Sequence, residues 1–204
     1  MDPRGISGTN LSVDVNTISI QSDIIKNMVS CLNKCDLSLA GIAIAPYLSG
    51  LSSLLEDEME LGVVCIDLGA ASSSLSIFFR KNLIFSQSLR IGGQHITSDI
   101  MQAFQIPFLA AERLKVLQGG LLPANSDDRE TLELPESNTD LFTERRTITK
   151  SELLGVIRPR VEEIFDSLRS ILDQSDFEFL PGQKIVLTGG GSQLENILDF
   201  ASTL

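Results

Sequence analysis

The sequence is most informative at Val63-Val64-Cys65-Ile66-Asp67-Leu68-Gly69-Ala70-Ala71-Ser72 and again at Lys184-Ile185-Val186-Leu187-Thr188-Gly189-Gly190-Gly191-Ser192. Each stretch is a short apolar run that ends in small, flexible residues. A buried parallel strand that brings its backbone to a phosphate or a nucleoside has this pattern. We therefore expect the two runs to be neighbouring parallel strands whose turns open onto one crevice, with helices between them, as in a nucleotide cleft.

The residues that follow each strand suit a phosphate or a flat ligand. After the first strand, glycine lets the backbone approach, serine hydroxyls donate hydrogen bonds, and Asp67 can hold Mg²⁺ through water. After the second strand, three successive glycines cost chain entropy, which a ligand passing close to the backbone would explain. The alternatives are a structural turn at Asp67-Leu68-Gly69 and a tight strand-to-helix turn at Gly189-Gly190-Gly191, and the sequence leaves them open.

Glu112 and Lys115 lie three residues apart on a predicted helix and can point to one side. Together they could hydrogen-bond a ribose or clamp a base. The alternative is an ordinary surface pair at i, i+3 spacing.

Composition limits the function classes. The 204 residues carry a net charge of −11, so like-charge repulsion argues against a nucleic-acid partner. No apolar run reaches the length of a membrane span, and the first residues do not have the pattern of a signal peptide. Three cysteines fit a reducing cytosol better than a disulfide framework. A bound nucleotide remains compatible with the charge, because backbone N–H groups and Mg²⁺ can hold phosphates.

Hydrophobic periodicity and turn signals predict alternating helices and strands around the two glycine turns. The predicted elements are a strand within 11–20, a helix over 23–34 capped by Ser22, a strand over 39–45, a helix over 47–55, an acidic turn over 56–60, a hairpin of 74–79 with 83–90, a helix from Thr97 to Phe104, a helix over 109–117, an extended loop over 121–147, a helix from the capping box at 149–152 to about 174 with a kink or break at Pro159, and a last helix from the capping box at 192–195 to the chain end.

The order of these motifs resembles the actin-like ATPase superfamily and, within it, the FtsA family of bacterial cell-division proteins. Each piece alone is unspecific, and the combination is specific. The resembling segments span nearly the whole chain in the family's order: 2–5, 60–63, 91–100, 110–115, 156–160 and 187–190. The resemblance implies a mixed α/β, actin-like (ribonuclease H-like) ATPase fold, mainly its second half with an inserted α/β subdomain.

The resemblance also implies a division into subdomains and a fragment that lacks the family's N-terminal part and C-terminal amphipathic helix. The implied subdomains are 1–20 as the tail of an inserted self-interaction subdomain, 21–60 as the returning part of the first actin-like subdomain, 61–91 and 166–204 as the second core subdomain, and 92–165 as a smaller inserted subdomain that faces FtsZ.

From the family, we expect ATP and Mg²⁺ as ligands, with little or no hydrolysis and no catalytic residue. Asp67 would hold Mg²⁺ through water. The implied phosphate-binding residues are Asp67, Gly69, Ala70, Ala71 and Ser72, and the implied nucleoside-binding residues are Gly92, Gly93, Glu112, Lys115, Gly189, Gly190 and Gly191.

The family further implies that residues 92–165 bind the C-terminal tail of FtsZ and that the full-length protein self-associates into actin-like polymers. It implies a place on the cytoplasmic face of the inner membrane at the division septum, reached only through the amphipathic helix that this sequence lacks.

Several positions depart from the family's pattern. Ala70 and Ala71 stand where the phosphate turn has glycines, and Ser74 stands where it has an acid. Added methyl groups crowd a backbone that should touch phosphate, and they strain any position of positive φ.

Three hypotheses therefore remain: an ATP-binding FtsA-like adaptor, a degenerate remnant that acts only as an interaction surface, and a small-molecule kinase of the same superfamily. The kinase needs an acceptor-facing carboxylate and a substrate insertion, and the sequence suggests neither.

Overall fold

The computed structural model describes residues 5, 7, 9, 10, 12, 15–124, 127–134, 146–175, 177, 178 and 183–203. Backbone contacts divide the chain into two units, 1–42 and 43–204, and each is taken by itself. None of the described helices is both long enough and apolar enough to span a membrane.

The first unit contains the helix α1, Ser22–Asn33, which the spacing of its apolar residues predicts. Gln21 is its N-cap and no side chain caps it, so the prediction of a Ser22 cap is wrong. The strand predicted within 11–20 is absent over the described residues 15–20, whose apolar side chains are exposed. Residues 11, 13 and 14 of that prediction lie outside the described residues.

Near the start of the second unit, Pro46 marks the first turn of a helix. The strand predicted over 39–45 is absent, because Pro46 occupies the first turn of the helix α2, Ala45–Ser53, where its missing N–H is tolerated. The predicted acidic turn is the short helix α3, Glu56–Leu61. Glu58 accepts a hydrogen bond from the Leu55 N–H and so caps that helix.

A four-stranded sheet forms the centre of the second unit. In spatial order its strands are β3 Asn82–Leu89, β2 Ser73–Phe79, β1 Val63–Leu68 and β6 Lys184–Thr188. The predicted hairpin is confirmed, since Arg80 and Lys81 both have positive φ, as a two-residue turn of the favoured hand requires. Its strands are antiparallel to each other, and β1 pairs antiparallel with β2.

The parallel pairing of β1 with β6 confirms that the two glycine-ended runs are neighbours. The register joins Val63 to Lys184 and Asp67 to Thr188. β1 is buried on both faces, as a central parallel strand should be. Val64, Ile66 and Leu68 face the larger core, and Val63 and Cys65 face a smaller one beneath α2 and α3. Burial raises the pKa of the Cys65 thiol to about 11, so this group packs as an uncharged core residue.

Helices cover the larger core and carry the inserted segment. The predicted capping box of Thr149 and Glu152 is confirmed, and the helix it opens is continuous through Pro159, so the alternative of two separate helices is wrong. Asp99 and Arg160 join two of these helices through two hydrogen bonds of 2.7 and 2.9 Å. The helices are α4 Gly93–Phe104, α5 Phe108–Gln118 and α6 Lys150–Asp173.

Three further predictions differ from the structure. Thr97 lies inside α4, which begins four residues earlier at Gly93. The stretch 121–147 includes the short strand β4, Thr131–Glu133, which pairs with β5, Thr147–Thr149, and residues 125, 126 and 135–145 lie outside the described residues. Ser192 belongs to a 3₁₀ turn, and the helix α7, Ile197–Ala201, starts after Asn196 in the left-handed conformation. The Ser192 hydroxyl donates to the Gly189 carbonyl, so it closes a turn instead of capping a helix.

Gly50 on α2 tests the packing of the smaller core. A Cβ at this position would overlap the ring of Phe78, which is fully buried and cannot move aside. We expect Gly50→Ala to lower the free energy of unfolding by about 1–3 kcal/mol, the usual effect of overpacking. Gly155→Ala is the matched control, because that glycine lies in α6 with no atom near its Cβ position. It should raise stability by up to ~1 kcal/mol. Urea denaturation followed by circular dichroism measures both, and equal effects would contradict this packing.

Candidate nucleotide site

The two turns leave the sheet side by side, because the last residue pair of β1 and β6 is Asp67 with Thr188. We call residues 69–72 the phosphate turn and residues 189–191 the glycine turn. A Cβ at Gly189, where φ is +85°, would overlap the Asp67 carboxylate, and a Cβ at Gly191 would lie 2.8 Å from the Leu68 Cβ. Close packing therefore requires these two glycines. Gly190 has no atom within 4 Å of its Cβ position, so its backbone faces open space.

The phosphate turn presents three unused backbone donors. The Gly69 N–H donates to the Ser72 carbonyl at 3.0 Å, which closes the turn. The N–H groups of Ala70, Ala71 and Ser72 have no acceptor among the residues that the structure describes, and all three residues are exposed. Neither alanine has a positive φ, so both fit the turn without the strain expected for a left-handed position. Successive free N–H groups in a turn are suited to binding an anion.

The N-terminus of α4 packs on the other side of the phosphate turn. The Gly93 N–H donates to the Gly69 carbonyl at 2.9 Å, and the Gln94 N–H donates to the Ala70 carbonyl at 2.8 Å. A Cβ at Gly92 would lie 2.5 Å from the Gly69 oxygen and 2.7 Å from the Ala70 oxygen. Gly92 and Gly93 thus allow helix and turn to touch. The His95 Nδ1 accepts the Gly92 N–H at 3.1 Å, which completes the helix start.

Two serines of α2 hold the ends of β1 and β6. The Ser49 Oγ donates to the Asp67 Oδ2 at 2.6 Å, and the Ser53 Oγ donates to the Thr188 Oγ1 at 3.1 Å. The Asp67 carboxylate is therefore fixed between a hydroxyl and the glycine turn. The sequence analysis did not find these serines. Their i, i+4 spacing just after Pro46 places them on one helix face and was the available signal.

Glu112 and Lys115 form a half-buried cluster with the first turn of α4. The Lys115 Nζ donates to the Glu112 Oε2 at 2.7 Å, to the Thr97 Oγ1 at 2.8 Å and to the Gly93 carbonyl at 3.0 Å. Only 12% of the Lys115 side chain is exposed, against 38% for Glu112. The interpretation as an ordinary surface pair therefore does not describe this lysine. The second Glu112 oxygen, Oε1, accepts no hydrogen bond from the described residues.

The charge state of Glu112 follows from its neighbours. Burial acts to raise the pKa of the Glu112 carboxyl, but hydrogen bonds from Lys115 and Thr97, together with the lysine charge, outweigh it and hold the pKa below its usual value. The group is therefore a carboxylate at neutral pH, with Oε1 available to accept a hydroxyl.

The cluster lies close to the phosphate turn. A Cβ at Gly93 would be 3.5 Å from the Lys115 Nζ and 3.7 Å from the Gly69 carbonyl oxygen. The structure thus brings Gly92, Gly93, Glu112 and Lys115 up to the phosphate turn on the side of α4, while the glycine turn adjoins it on the side of β6. Among the described residues there is no group of three or more side chains that could hold a metal directly.

Solved structures identify the fold. The chain superimposes on MreB5 of Spiroplasma citri bound to ADP with a TM-score of 0.73 and 18% identity, over 92% of this chain and 59% of that one. It also matches the MamK double helical filament, with a TM-score of 0.63 and 13% identity over 90% of this chain and 57% of that one. The fold is the mixed α/β fold of the actin-like ATPases, as the sequence predicted.

The family follows from the sequence. The family described as "Cell division protein FtsA" matches residues 64–204. The FtsA of Rhizobium meliloti is 33% identical over 200 residues, which are 98% of this chain and 45% of that protein. The chain belongs to the FtsA family of cell-division proteins, and it spans about half the length of the curated relatives it matches.

A comparison of Gly92 with Gly190 tests the contact between α4 and the phosphate turn. Gly92→Ala would press a methyl group against backbone atoms of the turn, so we expect a loss of about 1–3 kcal/mol in the free energy of unfolding. Gly190→Ala enters open space and should change stability by less than about 0.5 kcal/mol. Urea denaturation gives both values. A tolerated Gly92→Ala substitution would show that helix and turn are not in contact.

Proposed function

We propose that this chain binds ATP·Mg²⁺ between the phosphate turn and the glycine turn and takes part in cell division as an adaptor with little or no hydrolysis. The observation that carries the proposal is that the N–H groups of Ala70, Ala71 and Ser72, in the turn that follows Asp67, have no acceptor among the described residues. These donors suit the terminal phosphates of a nucleotide, and Asp67 suits the hydrated Mg²⁺ that accompanies them.

The nucleoside would lie against the open backbone of Gly190 and the Glu112–Lys115 pair. The free Oε1 of Glu112 can accept a ribose hydroxyl. Glycines at 92, 189 and 191 let the backbones around the two turns pack closely. ADP bound to MreB5 of Spiroplasma citri, a protein of the same fold, supports a nucleotide as the ligand class.

The same features weigh against a remnant that has lost its ligand. Two glycines of the family's turn have become alanines, but both alanines occupy ordinary backbone conformations and the donors beside them stay exposed. These two observations support a turn that can still bind an anion.

The adaptor part of the proposal concerns residues 92–165 and the C-terminal tail of FtsZ. On α5, Leu109 and Val116 are two helical turns apart, and 82% and 67% of their surfaces are exposed. An apolar stripe of this kind suits a short amphipathic peptide. For the whole protein, we propose self-association into actin-like polymers and a place at the cytoplasmic face of the membrane at the division septum.

Calorimetric titration with ATP·Mg²⁺ tests nucleotide binding. We expect a dissociation constant below roughly millimolar, and a loss of about tenfold, or 1.4 kcal/mol, in Asp67→Asn, which keeps an acceptor for Ser49 but removes the charge that attracts hydrated Mg²⁺. Asp57→Asn makes the same change of net charge on the exposed surface of α3 and should leave affinity unchanged. Absence of any binding heat from the folded wild-type chain would favour the remnant hypothesis, and phosphoryl transfer to a small acceptor would favour the kinase.

A synthetic peptide of the FtsZ C-terminal tail tests the partner. We expect the peptide to bind the chain and Leu109→Asp to weaken that binding by about tenfold, because a carboxylate would interrupt the apolar stripe. Leu198→Asp is the control, since Leu198 is 69% exposed on α7, outside 92–165. Fluorescence anisotropy of a labelled peptide measures both. Equal losses in the two variants, or no binding by the folded chain, would contradict the proposed docking surface.

A further inference from the structure

Lys115 uses all of its donors inside the protein. An ammonium group has three N–H bonds, and the structure gives the Lys115 Nζ three acceptors, in Glu112, Thr97 and the Gly93 carbonyl. The positive charge therefore lies against the first turn of α4. In this arrangement the ammonium group has no N–H left to donate to a ligand.

The acceptor at Gly93 belongs to a peptide group that also touches the phosphate turn. The carbonyl of Gly93 and the N–H of Gln94 are the two ends of one peptide group. Its carbonyl accepts from Lys115 at 3.0 Å, and its N–H donates to the Ala70 carbonyl at 2.8 Å. The Ala70 carbonyl is in turn one end of the peptide group whose other end is the free N–H of Ala71.

These contacts form one continuous hydrogen-bond chain, in which each link donates toward the phosphate turn and the last N–H faces solvent. A second hydrogen bond to the turn runs from the Gly93 N–H to the Gly69 carbonyl. The carbonyl of that same peptide group is the Gly92 carbonyl, and it accepts from the neutral backbone N–H of His95. Only the chain through Gln94 begins at a charge. Hydrogen bonds in series polarise one another, and a charged donor at the start strengthens every later link.

The geometry points to Lys115 as a positioning residue that raises the anion affinity of the phosphate turn by polarising the Ala71 N–H through two peptide groups. This inference rests on the proposed nucleotide function and adds a regulation of that same site. It also implies the reverse effect: an anion that binds the Ala71 N–H strengthens the bond from Gln94 to Ala70, and so tightens the contact between the turn and α4.

The first test needs no ligand and uses backbone NMR of the 204-residue chain. Lys115→Gln keeps a donor for the Gly93 carbonyl but removes the charge. We expect the Gln94 amide proton to move upfield and to exchange faster with solvent, while Lys115→Arg retains the wild-type values. Lys184→Gln removes an equal charge at the far end of β6 and should leave Gln94 unchanged. A Gln94 amide that is the same in folded Lys115→Gln and wild type overturns the inference.

The second test measures affinity with two partial ligands, tripolyphosphate with Mg²⁺ and adenosine. A lysine that acts through the turn should give a roughly three- to tenfold loss for tripolyphosphate in Lys115→Gln and no loss in Lys184→Gln. If Lys115 served only as a nucleoside contact, Lys115→Gln would lower the affinity for adenosine and leave the affinity for tripolyphosphate unchanged. That result also overturns the inference.

A third measurement keeps the inference testable if Lys115→Gln fails to fold. In the wild-type chain, tripolyphosphate should move the Gln94 amide proton downfield and increase the coupling across the hydrogen bond from Gln94 to Ala70. Binding without these changes contradicts the inference. If the wild-type chain bound neither tripolyphosphate nor ATP, the proposed function would fail, whereas the ligand-free comparison of Gln94 would still decide whether Lys115 polarises the turn.

Discussion

The parallel pairing of β1 with β6 is the constraint on which the rest of the structure depends. Because the strands run in the same direction and end at the paired residues Asp67 and Thr188, both turns emerge at one edge of the sheet. Parallel strands cannot be joined by a short turn, so the chain between them must supply a long connection. In this protein that connection contains the hairpin, α4, α5 and α6, and it returns to the sheet at β6. Within it, the start of α4 packs against the phosphate turn.

The phosphate turn uses its carbonyl groups to hold α4 and leaves most of its N–H groups without an acceptor among the described residues. Its carbonyls at Gly69 and Ala70 accept from the start of α4, and its Gly69 N–H closes the turn. The N–H groups of Ala70, Ala71 and Ser72 have no acceptor among the described residues. The amides at the start of α4 are already paired with this turn, so the anion-binding capacity lies in the turn itself. Gly92 and Gly189 have a common role in this design, because each lets a neighbouring backbone approach the turn or the strand that leads into it.

Much of this arrangement could be predicted from the sequence, because its signals are local. Apolar runs ending in glycine identified β1 and β6, and the run Arg80-Lys81-Asn82 identified the hairpin turn, although Asn82 is already the first residue of β3. Predictions failed where one local signal permits two outcomes. The apolar run before Pro46 is typical of a strand, yet the described residues 39–44 form neither strand nor helix, and the proline lies in the first turn of α2.

The site was predictable only in part. Asp67 and the glycines could be named from their place after strands, although their role with a nucleotide stays a prediction. Ser49, Ser53 and Thr97 act through contacts between segments distant in sequence, which periodicity does not report. The sequence also could not show which glycines are required for packing. In the structure, a Cβ at Gly189 or Gly191 would collide with β1, whereas a Cβ at Gly190 would meet no atom within 4 Å.

The most direct measurement of the central claim is a map of backbone amide shifts as ATP·Mg²⁺ is added to the ¹⁵N-labelled chain. If the two turns form one site, the amides of Ala70, Ala71 and Ser72 and the amide of Gly190 should shift together, with a single apparent dissociation constant. Shifts confined to one turn, or centred on a part of the chain remote from both, would contradict a nucleotide site between β1 and β6.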